Sequence, residues 1–411
     1  MTSRRNFLGA AAGGAVFTGI SRAAGKSSSM ALPEVEARIA KHDFRDLYKE
    51  DLPTPCMVVD LDLFEQNVQN MASRTKAIGI NVRPHVKVHK SVDVAKRQIA
   101  LGAIGLTTAT VAEAELFSNA GIRNVLWTAQ PVGKNKITRA VALAKKDPTF
   151  MCIVDDPLIV DQLEEAAGAA HTKMNILADV TVGMTRQGTH PGQPALALAQ
   201  KIDSSKNLKF HGLMGYSGQA SHTHNWEKRK EYSGSALGAL RDTKELCVKS
   251  GLNVGIMTGG STGTYNIDFD NGLTELECGS YVFMDTLYRK IGSKNNVEVY
   301  DDWQPALTVM ATITCRQFPN QGTIDAGNKA LLRPTDEVKG MPWLKVQNQG
   351  AEYGSVKWND GDRELKLGDR VELYPSNLDM STNCYDRYYV ARGEKIVDVW
   401  PIMGRAGAPQ R

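Results

Sequence analysis

Residues 83–90 read Arg83-Pro84-His85-Val86-Lys87-Val88-His89-Lys90 and place two lysines, two histidines and an arginine in eight positions, directly after a predicted early strand. Side chains alternate along a strand, so we expect His85, Lys87 and His89 to point the same way. Nearby cations lower the pKa of a lysine and keep more of it as the nucleophilic amine that Schiff-base chemistry requires. On spacing alone, a solvated basic turn is an equally good interpretation.

Outward from this segment, short β-rich runs alternate with helical stretches from residue 53 to about residue 285. Repeated βα units predict a parallel sheet with helical crossovers, and eight or nine strands favour an α/β fold with a closed (β/α)8 TIM-type barrel over an open doubly wound sheet. The helical period is clearest in residues 64–78, after candidate caps at Asp60 and Asp62. The predicted strands are 56–59, 81–83, 105–109, 124–128, 150–154, 175–182, 210–215, 254–258 and 275–283.

After Trp303 the helical period weakens, and β-rich stretches are separated by Gly/Asp turns. This pattern predicts a second, all-β domain of about 100 residues. We therefore expect a barrel over residues 53–300, preceded by a lead segment over 25–52, and a C-terminal β domain over 301–411.

The first 24 residues are typical of an export signal. Arg4 and Arg5 precede an uncharged stretch over 7–20, which is too short to span a bilayer. Small residues then provide a cleavage site, and the paired arginines followed by Phe-Leu resemble a twin-arginine signal. We expect export to the periplasm by the twin-arginine machinery and no membrane anchor after cleavage; a disordered basic N-terminus is the alternative.

Charge and cysteine usage exclude several classes of protein. Of the formal net charge of +4, three positive charges (Arg4, Arg5 and Arg22) lie in the predicted signal, which leaves a nearly neutral mature chain. No basic tract interleaved with aromatic residues remains, so nucleic acid is not an expected partner. The six cysteines are scattered without a CxxC pair, which favours free thiols over a zinc site or a disulfide framework.

Residues 258–264 read Thr258-Gly259-Gly260-Ser261-Thr262-Gly263-Thr264 and follow an apolar run late in the predicted barrel, where such barrels often bind phosphate. Glycines let backbone N–H groups approach phosphate oxygens closely, and the hydroxyl groups add donors. The loop alone is weak evidence. A nucleophilic lysine early in the barrel and a phosphate-binding loop late in it together describe a site for pyridoxal 5'-phosphate.

The order of several motifs resembles that of the D-threonine aldolase/D-serine dehydratase family, the fold-type III, alanine-racemase-like group of pyridoxal phosphate enzymes. The resemblance covers nearly the whole mature chain, and the string in residues 83–90 is its most specific element. The motifs are TPCMVVDLD at 54–62, GMTRQG at 183–188, GLMGYSG at 212–218, TGGSTGTY at 258–265, ELECGSYVFMD at 275–285, DAGNKA at 325–330 and PSNLDMSTNCYD at 375–386.

The resemblance assigns roles to particular residues. Lys87 is similar to the lysine that binds the cofactor aldehyde, with His85 and His89 as candidate catalytic groups beside it. Arg186 resembles the catalytic arginine near the phenolic oxygen of the cofactor, and Tyr216 the tyrosine at the ring. The implied phosphate ligands are Thr258, Gly259, Gly260, Ser261, Thr262 and Gly263, and Tyr281 is a further predicted cofactor contact.

One segment departs from the family pattern. Lyases of this group hold a divalent metal with a histidine and an aspartate or cysteine in the β domain. In this chain Asp379 is retained but Asn377 replaces the histidine, and all eight histidines precede residue 225. An Asn/Asp pair offers oxygen ligands only, which suits Mg²⁺ or Mn²⁺ better than Zn²⁺. Alternatively, the enzyme works without a metal and catalyses another reaction, or the pair is a polar strand end with no ligand role.

The resemblance implies an exported lyase that cleaves a D-β-hydroxy-α-amino acid such as D-threonine or D-3-hydroxyaspartate. Dehydration of D-serine or D-3-hydroxyaspartate, and racemisation, begin from the same bound substrate and remain alternatives. His222 and His224 are candidate bases or exposed loop residues. A non-catalytic carrier of pyridoxal phosphate is a weaker alternative, because such carriers lack a β domain. The family also implies a homodimer.

Overall fold

The structure, a computed structural model, describes residues 30–331 and 335–405. The predicted signal over residues 1–24 lies outside the described residues. The described chain forms two sheets, with most of its helices packed against the first. None of its described helices combines the length and the hydropathy that crossing a membrane requires.

The first sheet is a parallel barrel. Its ends are joined where Ile104 N–H donates to Val82 O at 3.0 Å and Thr107 N–H donates to Pro84 O at 2.9 Å. The predicted (β/α)8 barrel is therefore confirmed. In chain order the strands are β2 (Asn81–Val82), β3 (Leu106–Thr108), β4 (Val125–Trp127), β5 (Met151–Val154), β6 (Met174–Asp179), β7 (Leu208–Gly215), β8 (Ile256–Gly259) and β9 (Glu275–Leu276), and β9 pairs with both β8 and β2.

Helices connect successive barrel strands. The predicted helical stripe lies in α2, where Asp60 caps the first turn by accepting from Leu63 N–H and where Phe64, Val68 and Met71 are buried. The helices are α1 (Leu32–Ala40), α2 (Leu61–Ala77), α3 (Val92–Ala100), α4 (Val111–Asn119), α5 (Lys134–Lys146), α6 (Pro157–Ala169), α7 (Gln193–Asp203), α8 (Gly218–Ser221), α9 (Trp226–Lys249), α10 (Thr286–Arg289), α11 (Asn328–Leu331) and α12 (Leu378–Ser381).

The second sheet forms the expected C-terminal β domain, but it begins near the N-terminus of the described chain. Its strands are β1 (Cys56–Asp60), β10 (Leu307–Phe318), β11 (Gln321–Ile324), β12 (Lys345–Gln349), β13 (Gly354–Lys357), β14 (Arg370–Leu373), β15 (Arg387–Arg392) and β16 (Lys395–Pro401). Strand β1 runs antiparallel to β10 and parallel to β15. The prediction that residues 56–59 open the barrel is therefore wrong.

The two lobes share one hydrophobic core. The ring of Phe64 on α2 lies 5.8 Å from that of Phe283, which follows the last barrel strand. It also lies 5.2 Å from the indole of Trp400 on β16. Burial of large aromatic side chains contributes strongly to packing, so this cluster fixes the β domain against the barrel. The segment that contains α12 is thereby held over the carboxyl ends of the barrel strands.

Candidate active site

A cavity of about 650 Å³ lies where the barrel strands end and the β domain approaches. The carboxyl ends of parallel barrel strands are the usual location of a catalytic site in this fold. The turn after β2, the loops after β8 and β9, and the start of α12 all contribute to the cavity wall. Among the predicted site residues, the wall contains His85, Lys87, Arg186, Tyr216, Gly260, Ser261, Thr262, Asn377 and Asp379.

The lysine segment is a short 3-10 turn over Val86–Val88, not a continued strand. His85 precedes this turn and caps it, with Nδ1 accepting from Lys87 N–H at 3.3 Å. His85 and Lys87 face the cavity, but His89 is fully buried outside it, with its ring 6.3 Å from that of Phe117. The expectation that all three side chains point the same way is wrong, because a 3-10 turn separates successive side chains by about 120°.

The charge environment of Lys87 also differs from the expectation. Its Nζ lies 3.4 Å from Oδ2 of Asp379 in the β domain. Burial alone would lower the pKa of Lys87, but the Asp379 carboxylate and the Tyr216 hydroxyl outweigh burial and the cation of Arg186, so the pKa is raised. The two flanking histidines do not supply the predicted cations, because burial lowers the pKa of both His85 and His89.

The glycine-rich loop after β8 has the form of an anion-binding loop. Gly260, Ser261 and Thr262 reach the cavity, and Gly260 has a φ of 73°, which favours glycine. Within the described residues, the backbone N–H groups of Gly260 and Thr262 donate to no acceptor. Free N–H groups in such a turn are the donors that a phosphate group requires. The loop therefore fits the cofactor phosphate.

Contacts behind the loop hold it in place. Tyr300 donates its hydroxyl to Thr262 O at 2.6 Å, and Arg229 Nε donates to Gly263 O at 2.7 Å. A Cβ atom at Gly263 would lie 2.2 Å from Ser221 O, so this position tolerates no side chain without movement. Thr258, Gly259 and Gly263 do not reach the cavity wall themselves. These residues lie behind the cavity wall and support the loop.

Tyr281 is placed differently from the prediction. Its ring is buried, and its hydroxyl accepts from Gln98 Nε2 at 2.9 Å beside a separate cavity of about 390 Å³. Its backbone N–H donates to Thr262 Oγ1 at 3.1 Å. Tyr281 therefore touches the phosphate loop through its backbone, and its side chain points away from the predicted cofactor.

Arg186 and Tyr216 lie together in the wall, as the resemblance implies. The Arg186 guanidinium is 5.6 Å from the centroid of the Tyr216 ring, within the range of a cation–π contact. This arrangement presents a positive charge and an aromatic face to the cavity. Both are suited to a planar ring that carries an anionic phenolic oxygen.

Glu277 is a further candidate functional residue, which the sequence motifs did not single out. This nearly buried side chain lines the cavity and accepts from the Thr258 hydroxyl at 2.8 Å. Burial raises the pKa of Glu277 to about 7. An acidic partner for the ring nitrogen is a common means of tuning pyridoxal phosphate, and Glu277 fits that role. Two glutamates at alternate positions of a predicted buried strand, in Glu275-Leu276-Glu277, were the available signal.

His222 occupies the mouth of the cavity. Its ring lies 4.3 Å from that of Tyr288, and partial desolvation, together with the charge of Lys87, lowers its pKa. His224 does not reach the cavity. Of the two loop histidines considered from the sequence, His222 alone is placed to exchange a proton with a molecule bound near Lys87.

Asn377 and Asp379 both reach the cavity, but they do not form a metal site. Asn377 Oδ1 accepts from Met380 N–H at 3.0 Å and caps α12, while Asp379 is paired with Lys87. Across the described ranges, no group of three or more His, Cys, Asp or Glu side chains is arranged to hold a metal ion. The residues present therefore do not fit the predicted Mg²⁺ or Mn²⁺ ion.

The fold and the cavity together define an alanine-racemase-like protein with a site suited to pyridoxal phosphate. The barrel has a lysine at the end of its first parallel strand and a glycine-rich loop after a late strand, and a β domain lies over the cavity. The family comparisons agree. Residues 59–287 match the model of the alanine racemase N-terminal domain, and residues 306–391 match that of a serine dehydratase domain. The chain belongs to the alanine racemase N-terminal domain family.

Individual relatives resemble the chain over most of its length. It is 32% identical to a 3-hydroxy-D-aspartate aldolase of Paracoccus denitrificans, over 87% of this chain and 93% of that protein. It is 32% identical to a D-threonine aldolase of Arthrobacter, over 86% and 92%. The solved structure of a D-threonine aldolase from Filomicrobium marinum is 31% identical, with a TM-score of 0.81 over 87% of this chain and 97% of that one. Relatives so named are lyases.

Proposed function

We propose that this protein is a pyridoxal phosphate-dependent lyase that cleaves the Cα–Cβ bond of a D-β-hydroxy-α-amino acid, such as D-threonine or D-3-hydroxyaspartate, to glycine and an aldehyde. The observation that carries the proposal is the meeting of Lys87 and the loop around Ser261 in one cavity. The names of the aldolase relatives support the choice of bond.

Different residues of the cavity would bind different parts of the cofactor. Lys87 would bind the cofactor aldehyde, and the N–H groups of Gly260 and Thr262 would bind its phosphate. Arg186 would balance the charge of the phenolic oxygen, and Glu277 would be the acidic partner of the ring nitrogen. When bound, pyridoxal phosphate supplies the electron sink for the carbanion that forms at Cα.

Proton transfer falls to groups at the open side of the cavity. His222 accepts the proton of the substrate β-hydroxyl as the Cα–Cβ bond breaks and the aldehyde carbonyl forms. Its lowered pKa keeps the ring neutral, so it is able to accept a proton. Lys87 then returns a proton to Cα to complete glycine. The raised pKa of Lys87 keeps a proton available for that step.

Product analysis tests the proposal. The purified protein, loaded with pyridoxal phosphate, is incubated with D-threonine, D-3-hydroxyaspartate and D-serine. Aldehyde and glycine are expected. An oxo acid with ammonia would instead identify a dehydratase, inverted configuration alone a racemase, and no turnover of any D- or L-amino acid a carrier. Lys87→Ala should lose both turnover and the absorption band of the lysine-linked cofactor; a retained band would refute the role of Lys87.

Export and assembly belong to the same proposal. The paired arginines and the uncharged stretch over 7–20 support a twin-arginine signal and a periplasmic location. The β domain over the cavity supports a homodimer, which is the arrangement implied by the family. Cell fractionation of the full chain, with Arg4→Lys/Arg5→Lys as the export-deficient comparison, tests the location, and analytical ultracentrifugation tests the dimer.

A further inference from the structure

At the start of α12, this chain departs from the metal-binding pattern of the lyases it resembles. The segment lies in the cavity wall, where Asn377 and Asp379 face Lys87. Because no histidine is present at 377, a metal site here would need another side chain as a ligand. The contacts of each candidate ligand show whether it is free to bind a metal.

The amide oxygen of Asn377 is already used. It accepts from Met380 N–H at 3.0 Å and so satisfies one of the free N–H groups at the start of α12. Turning this oxygen toward a metal would leave the helix start uncapped.

Asp379 is engaged by two ammonium groups. Its Oδ2 lies 3.4 Å from Lys87 Nζ, and its backbone oxygen accepts from Lys90 Nζ at 3.0 Å. Lys90 is almost fully buried and also donates to Thr382 Oγ1 at 3.0 Å. A divalent cation bound to Asp379 would therefore compete with Lys87 for the carboxylate and lie close to Lys90, and the capping amide of Asn377 is not free to offset that cost.

The neighbouring acid and histidine do not complete a site. Both carboxylate oxygens of Asp285 accept backbone N–H groups, from Tyr288 at 2.9 Å and from Leu378 at 3.3 Å. The His222 ring packs against that of Tyr288 at a tilt of 39°. These side chains do not converge with Asp379 on a common point, since the described chain contains no three-ligand group.

We infer that this chain performs its cleavage without a bound divalent metal, and that Asp379 is the ion-pair partner of Lys87 whenever that amine is not bonded to the cofactor. The inference about catalysis rests on the proposed lyase function, whereas the inference about metal binding does not. On this inference, the chain differs from the metal-binding lyases it resembles in two ways. Asn377 stands in place of the histidine, and Asp379 is paired with Lys87.

The experiment uses the protein loaded with pyridoxal phosphate. Elemental analysis of protein purified in MnCl₂-containing buffer should show far less than one Mn²⁺ per chain, and titration calorimetry with MnCl₂ or MgCl₂ should show no saturable binding. Incubation with EDTA followed by gel filtration should leave kcat unchanged. One bound equivalent of metal, or a loss of activity that MnCl₂ restores, would overturn the inference.

Asn377→His provides a gain of function. The new imidazole would face the cavity beside Asp379, and saturable Mn²⁺ binding should appear in calorimetry. Asn377→Ser is the matched control, because serine retains the cap without supplying a metal ligand, and it should bind no metal. Saturable binding by the serine variant would contradict the inference. If no aldehyde forms with or without metal, the proposed lyase function fails, and calorimetry still decides the question of metal binding.

Discussion

Arg83 and Glu275 form a two-contact ion pair inside the barrel. Nε and Nη2 of the arginine lie 2.7 and 3.0 Å from the two carboxylate oxygens of the glutamate, and both side chains are buried. The remaining guanidinium nitrogen, Nη1, donates to the carbonyl of Asn124 before β4. This pair joins the first parallel strand to the last and reaches the third strand of the barrel.

Removal of one partner of this pair should be severely destabilising. Glu275→Gln leaves a buried guanidinium without its counter-charge, and we expect the free energy of unfolding to fall by about 3–5 kcal/mol. Chemical denaturation monitored by circular dichroism measures the change. The double variant Arg83→Met/Glu275→Leu should recover most of the loss, and a single-variant loss below about 1 kcal/mol would contradict the structural role.

The phosphate loop should depend on the absence of a side chain at Gly263. Because a Cβ atom there would lie 2.2 Å from Ser221 O, Gly263→Ala must displace the loop. We expect the affinity for pyridoxal phosphate to fall at least about tenfold, or about 1.4 kcal/mol, in a fluorescence titration of the cofactor-free protein. In the control Gly255→Ala the nearest atom is 3.7 Å away, and the affinity should not change. Equal affinities for the two variants would disprove the phosphate role.

The stability of the cofactor-free protein should depend on pH through Glu277. Burial raises the pKa of Glu277 from 4.5 to about 7, so the folded state favours the protonated form. The resulting stabilisation is fully present below pH about 4.5 and is lost as the pH rises through about 7, in total about 3 kcal/mol. Glu277→Gln stays neutral and should lack this component. Urea unfolding at pH about 5, 6 and 8 compares the two, and parallel pH profiles would show that Glu277 is ionised throughout.

His222 should affect turnover more than cofactor binding. As the neutral base at the cavity mouth, it is expected to contribute about 10²–10⁴-fold to kcat, and His222→Gln should lose that factor. The absorption of the lysine-linked cofactor should stay as in the wild type. His224→Gln is the matched control, because His224 lies two residues away and outside the cavity. Equal kcat values for wild type and His222→Gln would exclude His222 as the base.

Features set by local pattern were predictable from the sequence. The apolar spacing of Phe64, Val68 and Met71 specifies α2 because the helical period brings these side chains to one face. The glycine-rich loop over residues 258–264 was predictable as a candidate anion site because glycine and hydroxyl residues have a direct role in anion binding. Most barrel strands were found for the same local reason, since short apolar runs between turns are typical of buried strands.

Features set by long-range contacts were not predictable. A buried strand such as Cys56–Asp60 has the same apolar sequence whichever sheet it joins. Its place is decided by its distant partners, β10 and β15. The side chain of His89 points away from the cavity because Val86–Val88 form a 3-10 turn, which the alternating sequence did not reveal. The raised pKa of Lys87 depends on Asp379, which only the docking of the β domain brings within reach.

The position of β1 has a consequence for biosynthesis. Met57 is among the first described residues to leave the ribosome, but it pairs with Tyr388, near the end of the chain. A chain that stops before residue 387 lacks β15 and leaves one edge of β1 without its partner, and unpaired strand edges promote aggregation. The sheet that carries the β domain is therefore completed only after residues 387–392 have been synthesised.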